Sequence, residues 1–191
     1  MSPALWYVSR ATGLVSLVLF TATVVLGTMN ASRFATAGWP RFTISALHKN
    51  VSLMSVAFLA VHISTAILDT YVSLHWVDAV VPFVSSYQPF WLGLGTTALD
   101  LLLAVIITSL VRTRIPLRGW RAVHWLSYLC WPAALIHGIG MGQSDSNLTW
   151  VLALEISCVV AVVIAVAWRA LASHPDTEAR KLPTTHNEAI R

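Results

Sequence analysis

Residues 43–68 read TISALHKNVSLMSVAFLAVHISTAIL, and residues 119–140 read GWRAVHWLSYLCWPAALIHGIG. A helix needs roughly 20 apolar residues to cross the hydrocarbon of a bilayer, and each stretch meets that length. Each also holds two histidines. His48 and His62 are 14 residues apart, and His124 and His137 are 13 apart. An ionisable side chain in a lipid-spanning helix is costly, so it is kept for a function and usually has a partner. Neutral imidazole is a common axial ligand of haem iron. Two histidine pairs at matched depths therefore predict two b-type haems stacked across one bilayer.

The rest of the chain fits a membrane setting. Of its 191 residues, 57% are hydrophobic and 10% charged, against a soluble average of about 25% charged. Mean hydropathy is +0.70. Besides 43–68 and 119–140, the stretches 5–28, 90–112 and 148–171 are long enough to span. The expectation is an all-α integral membrane protein: a five-helix transmembrane bundle over residues 1–171, then a polar, disordered tail over 172–191. The loop 69–89 carries the turn residues Pro82, Ser85, Ser86 and Pro89. It also carries Trp76, Val80, Val81 and Phe83, which suit a membrane surface.

Charge sets the orientation. Of 12 Lys and Arg residues, all but Arg10 fall on one side of a five-helix arrangement. These are Arg33, Arg41, Lys49, Arg112, Arg114, Arg118, Arg121, Arg169, Arg180, Lys181 and Arg191. The positive-inside rule then places the N-terminus outside and the C-terminus in the cytoplasm. The pI near 9.5 reflects this clustering and not a nucleic-acid surface. Cys130 and Cys158 lie in apolar runs, where a disulfide is not expected, and no C-x-x-C-H motif for covalent haem occurs.

In that orientation His48 and His124 pair near the cytoplasmic face, and His62 and His137 pair near the outer face. A rise of about 1.5 Å per residue separates the two levels by roughly 20 Å. The angular registry is uneven. Fourteen residues at about 100° each bring His62 to within about 40° of the face of His48. Thirteen leave His137 about 140° short of the face of His124. Pro132, between the two, can kink the helix, and a tighter 3₁₀-like turn there would rotate more per residue.

Haem propionates are anionic and need cations. Arg41, Lys49, Arg118 and Arg121 are candidates at the inner level, although the orientation rule alone also accounts for them. Arg10 sits on the disfavoured side, where an outer propionate, Asp100 or Glu155 could hold it. Snorkelling is the competing account. Trp131 lies midway between His124 and His137, suited either to the space between haems or to core packing. His75, His174 and His186 are expected to be solvated.

At these residues the chain resembles the ferric reductase-like transmembrane domain family, the haem-binding core that NADPH oxidases and iron reductases share. Leu47-His48-Lys49 leading to Ala60-Val61-His62 resembles the family's first histidine helix. Arg121-Ala122-Val123-His124 leading to Leu135-Ile136-His137-Gly138 resembles the second. Arg10-Ala11-Thr12-Gly13 resembles the Arg-x-x-Gly start of the domain. The likeness covers roughly residues 5–171, and the chain resembles the small, stand-alone bacterial form of the family. Two departures stand out: NADPH oxidases usually have one more helix, and they carry a flavin and nicotinamide domain after the last one. No Gly-rich nucleotide motif follows here, so FAD and NAD(P)H are not expected to bind.

The resemblance implies a di-haem b protein in a bacterial-type cell membrane. It would carry electrons from a separate cytoplasmic donor, a flavoprotein or quinol, to ferric iron, oxygen or an external flavin-binding or reductase partner. It is then a subunit of a membrane oxidoreductase, without a catalytic residue of its own. The competing expectation is a non-enzymatic, haem-bearing membrane anchor or assembly subunit of a redox complex.

Overall fold

The computed structural model describes residues 3–32, 34, 36, 39–70, 72, 74–142 and 148–171. Arg33 and the expected tail, with His174, His186, Arg180, Lys181 and Arg191, lie outside the described residues. Six α-helices follow one another: α1 (Pro3–Ala31), α2 (Arg41–Leu68), α3 (Pro89–Leu110), α4 (Leu117–His124), α5 (Ser127–Gly142) and α6 (Thr149–Leu171). Four of them, α1, α2, α3 and α6, are long and apolar enough to cross a membrane. In lipid every backbone polar group needs an internal partner, which is why apolar runs of this length become helices. Serine and threonine hydroxyls within them follow the same rule. Those of Thr21, Thr23, Ser52 and Thr97 return to the carbonyl four residues back, at 2.6–2.9 Å.

The stretch 119–140, expected as one helix, is two. Its break falls at Trp125 and Leu126, between α4 and α5. The backbone there tightens into bonds spanning three residues: Leu126 N–H to Val123 O (2.9 Å), Tyr128 N–H to Trp125 O (3.1 Å) and Leu129 N–H to Leu126 O (3.0 Å). Pro132 sits inside the continuous helix α5. It has no N–H for the Tyr128 carbonyl and its ring crowds that carbonyl, but the break falls six to seven residues before it, one turn beyond that contact. Each 3₁₀ residue turns about 120° instead of about 100°, which supplies rotation that the 13-residue spacing lacks.

α1 is the central rod. It packs against α2 most extensively, and against α6 and α5, while α3 packs on α5 and α4. The core is built from Leu17, Phe20 and Val24 of α1, Ala98 of α3, Cys130, Trp131 and Leu135 of α5, and Cys158 and Val162 of α6. Trp131 belongs to this core, and its indole N–H donates to Thr21 Oγ1 at 3.0 Å. α2 is peripheral by contrast. Only 6% of the residues in its most apolar stretch are buried within the protein, against 33% in α1. It leans on α1 and leaves space between itself and α5.

The segment between α2 and α3 is tied down. A short 3₁₀ turn covers Trp76–Ala79. Asp78 is buried, accepts the His75 N–H at 2.9 Å, and offers its carbonyl to Thr96 Oγ1 at 2.7 Å. Phe83, at φ 66°, lays its ring on Gly93, where a β-carbon would come within 2.2 Å of Cδ1. Around these anchors Trp76, Val77, Val80 and Val84 are exposed, so the segment shows an apolar surface at the end of the bundle.

Candidate functional site

The four histidines meet in two facing pairs. The ring centroids of His48 and His124 are 6.5 Å apart, with planes at 65°. Those of His62 and His137 are 6.4 Å apart, with planes at 78°. In each pair one ring comes from α2 and the other from the α4–α5 segment. The spacing has a chemical meaning. Two imidazole nitrogens binding one metal at about 2 Å each, with about 1.1–1.2 Å from nitrogen to centroid, set the rings about 6.3 Å apart. Both pairs meet that requirement. Among the described residues no three His, Cys, Asp or Glu side chains converge on one point. Each pair is therefore two facing imidazoles at a spacing that could admit one metal ion between them.

Hydrogen bonds settle which nitrogen faces the gap. Nδ1 of His62 lies 2.8 Å from the Ser9 carbonyl, and Nδ1 of His48 lies 3.0 Å from the Thr23 carbonyl, both on α1. Nδ1 of His137 lies 2.8 Å from the Trp91 carbonyl on α3. A carbonyl only accepts, so in each case Nδ1 carries the proton and donates. The Nε2 lone pair is then free to ligate, the arrangement in which an outer partner fixes the tautomer and raises the basicity of a metal-binding histidine. His124 differs. Its Nδ1 is buried and has no hydrogen-bond partner among the described residues. It is held by stacking on Trp120, at 4.8 Å and 25°. Trp120 in turn lies beneath the Arg112 guanidinium, 4.6 Å from it, and reaches Ser109 Oγ at 3.4 Å.

A cavity of about 650 Å³ opens at the His62–His137 level. Its lining is largely apolar and includes Arg10, Gly13, Gly95 and Glu155 besides the two histidines. That is the size and character of a pocket for a large, mostly apolar ligand. Arg10 is half-buried beside it. Its guanidinium donates to the carbonyl of Gly142, the last residue of α5, at 2.9 Å, and lies 5.4 Å from the Trp6 ring. A cation at a helix C-terminus meets unpaired carbonyls and the negative end of the dipole. Glu155 is buried in the cavity wall.

The other expected cations are placed differently. Arg41, Lys49, Arg118 and Arg121 are exposed. The cations in contact with the aromatic surroundings of His124 are Arg112 and Arg169. Arg169 lies 4.6 Å from the Trp125 ring and donates to the Tyr128 hydroxyl. Sequence reasoning treated both only as markers of orientation. It also passed over the carbonyls of Ser9, Thr23 and Trp91, since a backbone acceptor leaves no trace in side-chain identity. Cys130 and Cys158 are free and buried, and Cys130 Sγ lies 3.1 Å from the Ala98 carbonyl. His75 is exposed, with Nδ1 3.8 Å from Asp78 Oδ2.

No curated protein and no solved structure matches the chain. The profile of one protein family, the ferric reductase like transmembrane component, matches residues 12–135. The match takes in three of the four facing histidines, and His137 lies just past its end. It spans well over half the chain and runs through the helices that build both pairs, so the chain belongs to the ferric reductase-like transmembrane component family.

Proposed function

We propose that this protein is a transmembrane di-haem b electron-transfer protein. The observation that carries the reading is the pair of bis-imidazole gaps, 6.5 Å at His48–His124 and 6.4 Å at His62–His137. When bound, haem supplies a one-electron ferric/ferrous couple at each level. The chain's own residues do the rest. His48 and His62, on one continuous helix, fix the two levels relative to each other. His124 and His137 close each site from the opposite side. Nδ1–H donation from His48, His62 and His137 holds those rings in the orientation that presents Nε2. The apolar cavity wall keeps water from the His62–His137 centre, and Arg10 provides a cation at its edge for a propionate.

The charge distribution supports the direction. With the positive-inside rule, the His48–His124 level is cytoplasmic and the His62–His137 level faces outward. Five passes, with α4 and α5 together making the fourth, leave the N-terminus outside and the C-terminus inside. Electrons then enter from a cytoplasmic donor, a flavoprotein or a quinol. They leave to an external acceptor: ferric iron, oxygen, or a partner flavoprotein or reductase. A bacterial-type cell membrane suits this arrangement. Arg41, Lys49, Arg118 and Arg121 are exposed, at the end of the bundle where the donor would approach.

Haem content tests the reading. Purified full-length protein should give two b-type haems per chain by pyridine haemochrome. His62→Ala or His137→Ala should leave one, with transmembrane electron transfer in vesicles abolished. Full haem content with undiminished partner recruitment but no electron flow would favour a haem-bearing anchor. Folded protein from haem-replete cells that carries no haem would overturn the proposal.

A further inference from the structure

We infer that α1 and α3 carry a repeated device, a free-faced carbonyl followed four residues later by glycine, that receives three of the four histidine rings. His124 lacks it, which makes the His48–His124 level the unequal one. This rests on the di-haem reading for its consequence, though not for its geometry.

The pattern is the same at three places. His62 Nδ1 meets the Ser9 carbonyl, and a β-carbon on Gly13 would come within 3.0 Å of that same Nδ1. His48 Nδ1 meets the Thr23 carbonyl, and a β-carbon on Gly27 would come within 3.2 Å of its Cε1. His137 Nδ1 meets the Trp91 carbonyl, and a β-carbon on Gly95 would come within 2.5 Å of Nδ1. In every case the glycine stands four positions after the carbonyl. The physical reason lies in helix geometry. The carbonyl of residue i already accepts the N–H of residue i+4, and its second lone pair stays available. Side chains lean toward the helix N-terminus, so the one at i+4 covers that lone pair. Glycine at i+4 removes the cover, and an imidazole edge fits into the notch.

Registry explains why two notches share α1. Gly13 and Gly27 are 14 apart, as are His48 and His62. α1 and α2 are consecutive, antiparallel neighbours, so equal spacing sets Gly13 against His62 and Gly27 against His48. The partner rods α3 and α5 repeat the logic once. Thirteen residues past Gly95, matching the 13 from His124 to His137, stands Thr108. Its hydroxyl donates to Ala104 O at 2.7 Å, occupying the carbonyl that a notch would expose. The buried, unpartnered Nδ1 of His124 is the counterpart of that missing notch.

Gly13, Gly27 and Gly95 are thus positioning residues, each acting through one histidine on one level. A role in general helix packing would weaken both levels together. The experiment reads the full-length protein by haem content and by low-temperature EPR, where the two ferric centres give separate signals. Gly95→Ala should remove or shift the His62–His137 signal and leave the His48–His124 signal as an internal measure of folding. Gly13→Ala should do the same more mildly. Gly27→Ala should alter only the His48–His124 signal. Haem retention at the affected level should fall by about 10–100-fold, as for the loss of other outer partners of metal-binding histidines. Gly119→Ala, at an exposed position where a β-carbon meets nothing within 4 Å, is the control.

Two haems in the wild type with both signals unchanged in Gly95→Ala and Gly13→Ala would overturn the inference and leave the functional proposal standing. Should Gly95→Ala not accumulate, the level-specific effects of Gly13→Ala and Gly27→Ala decide. If the wild type carries no haem, the functional proposal fails and the notches are read directly by side-chain ¹⁵N shifts of the same preparation. An Nδ1–H tautomer at His48, His62 and His137, lost at the histidine facing each substituted glycine, supports the inference. An Nε2–H tautomer at those three refutes it.

Discussion

His62 and His137 face each other with ring centroids 6.4 Å apart and planes turned 78° from parallel. The two rings are set on separate helices by separate carbonyls, so neither is free to swing into the plane of the other. Crossed imidazole planes leave the d-orbitals of a ferric iron nearly degenerate. The expected signature is a highly anisotropic low-spin EPR signal at both levels. It should be more extreme at His62–His137 than at His48–His124, where the angle is 65°. Ordinary rhombic spectra would contradict these ring orientations.

Pro132 is expected to matter through His124, eight residues away. Pro132→Ala restores an N–H for the Tyr128 carbonyl and removes the crowding in the first turn of α5, and is expected to let that helix extend back through Trp125 and Leu126. Each residue that reverts from 3₁₀ to α geometry returns about 20° of rotation, which turns His124 away from His48. The variant should keep the His62–His137 haem and lose or weaken the other. Unchanged haem stoichiometry and spectra would mean the break is set elsewhere.

The Trp131–Thr21 hydrogen bond ties α5 to α1 in the core. Interhelical bonds of this kind in membranes are worth about 0.6–2 kcal/mol. Thr21→Val strands a buried indole N–H and should destabilise by about 1–3 kcal/mol. Adding Trp131→Phe to Thr21→Val should recover part of that loss, since both polar partners are then gone. Unfolding of the detergent-solubilised protein in denaturant measures both, and strict additivity would rule out a direct bond.

Arg10 bridges α1 to the end of α5 through Gly142. Hydrogen bonds from charged groups are worth about 1.5–3 kcal/mol, and Arg10→Gln should lower stability by an amount in that range. Because His137 lies on the same helix, a haem bound at the His62–His137 level should also be released more readily during unfolding. Arg10→Lys, which keeps the charge, should recover part of the stability. If Arg10→Gln is as stable as the wild type, the contact with Gly142 is incidental.

Trp120 stacks on His124, where no hydrogen bond orients the ring. Trp120→Leu removes the stack and the platform on which Arg112 rests. Haem retention at the His48–His124 level should drop by about 10–100-fold, with the other level intact, as read by haem titration of stripped membranes. Equal loss from both levels would point to a general folding defect instead.

Much of this site was legible in the sequence because lipid narrows the choices. Apolar runs of fixed length can only be helices, and a histidine within one demands a reason. That reasoning led from His48, His62, His124 and His137 to two facing pairs. It also identified the shortfall in rotation between His124 and His137 and connected it to Pro132. The rewinding itself falls at Trp125 and Leu126, six to seven residues before Pro132, while the helix around the proline stays continuous. The histidine acceptors were hidden for a different reason: a main-chain carbonyl is the same for every residue. The trace they do leave is steric. Gly13, Gly27 and Gly95 stand four residues after Ser9, Thr23 and Trp91, and the 14-residue interval on α1 repeats the interval on α2. The exposed positions of Arg41, Lys49, Arg118 and Arg121 follow from their own helix faces, which charge counting does not resolve.

The break between α4 and α5 gives the two levels unequal mechanical freedom. On the α2 side, both ligands ride a single rigid shaft, and anything that tilts one tilts the other. On the opposite side, His137 belongs to α5, wedged into the core by Trp131 and Leu135, while His124 ends a short helix of eight residues with none of them buried. The joint at Trp125 and Leu126 therefore separates the two ligands of that side into different helices. One ligand of the opposite side is thus anchored in the core and the other is set beyond a non-helical joint.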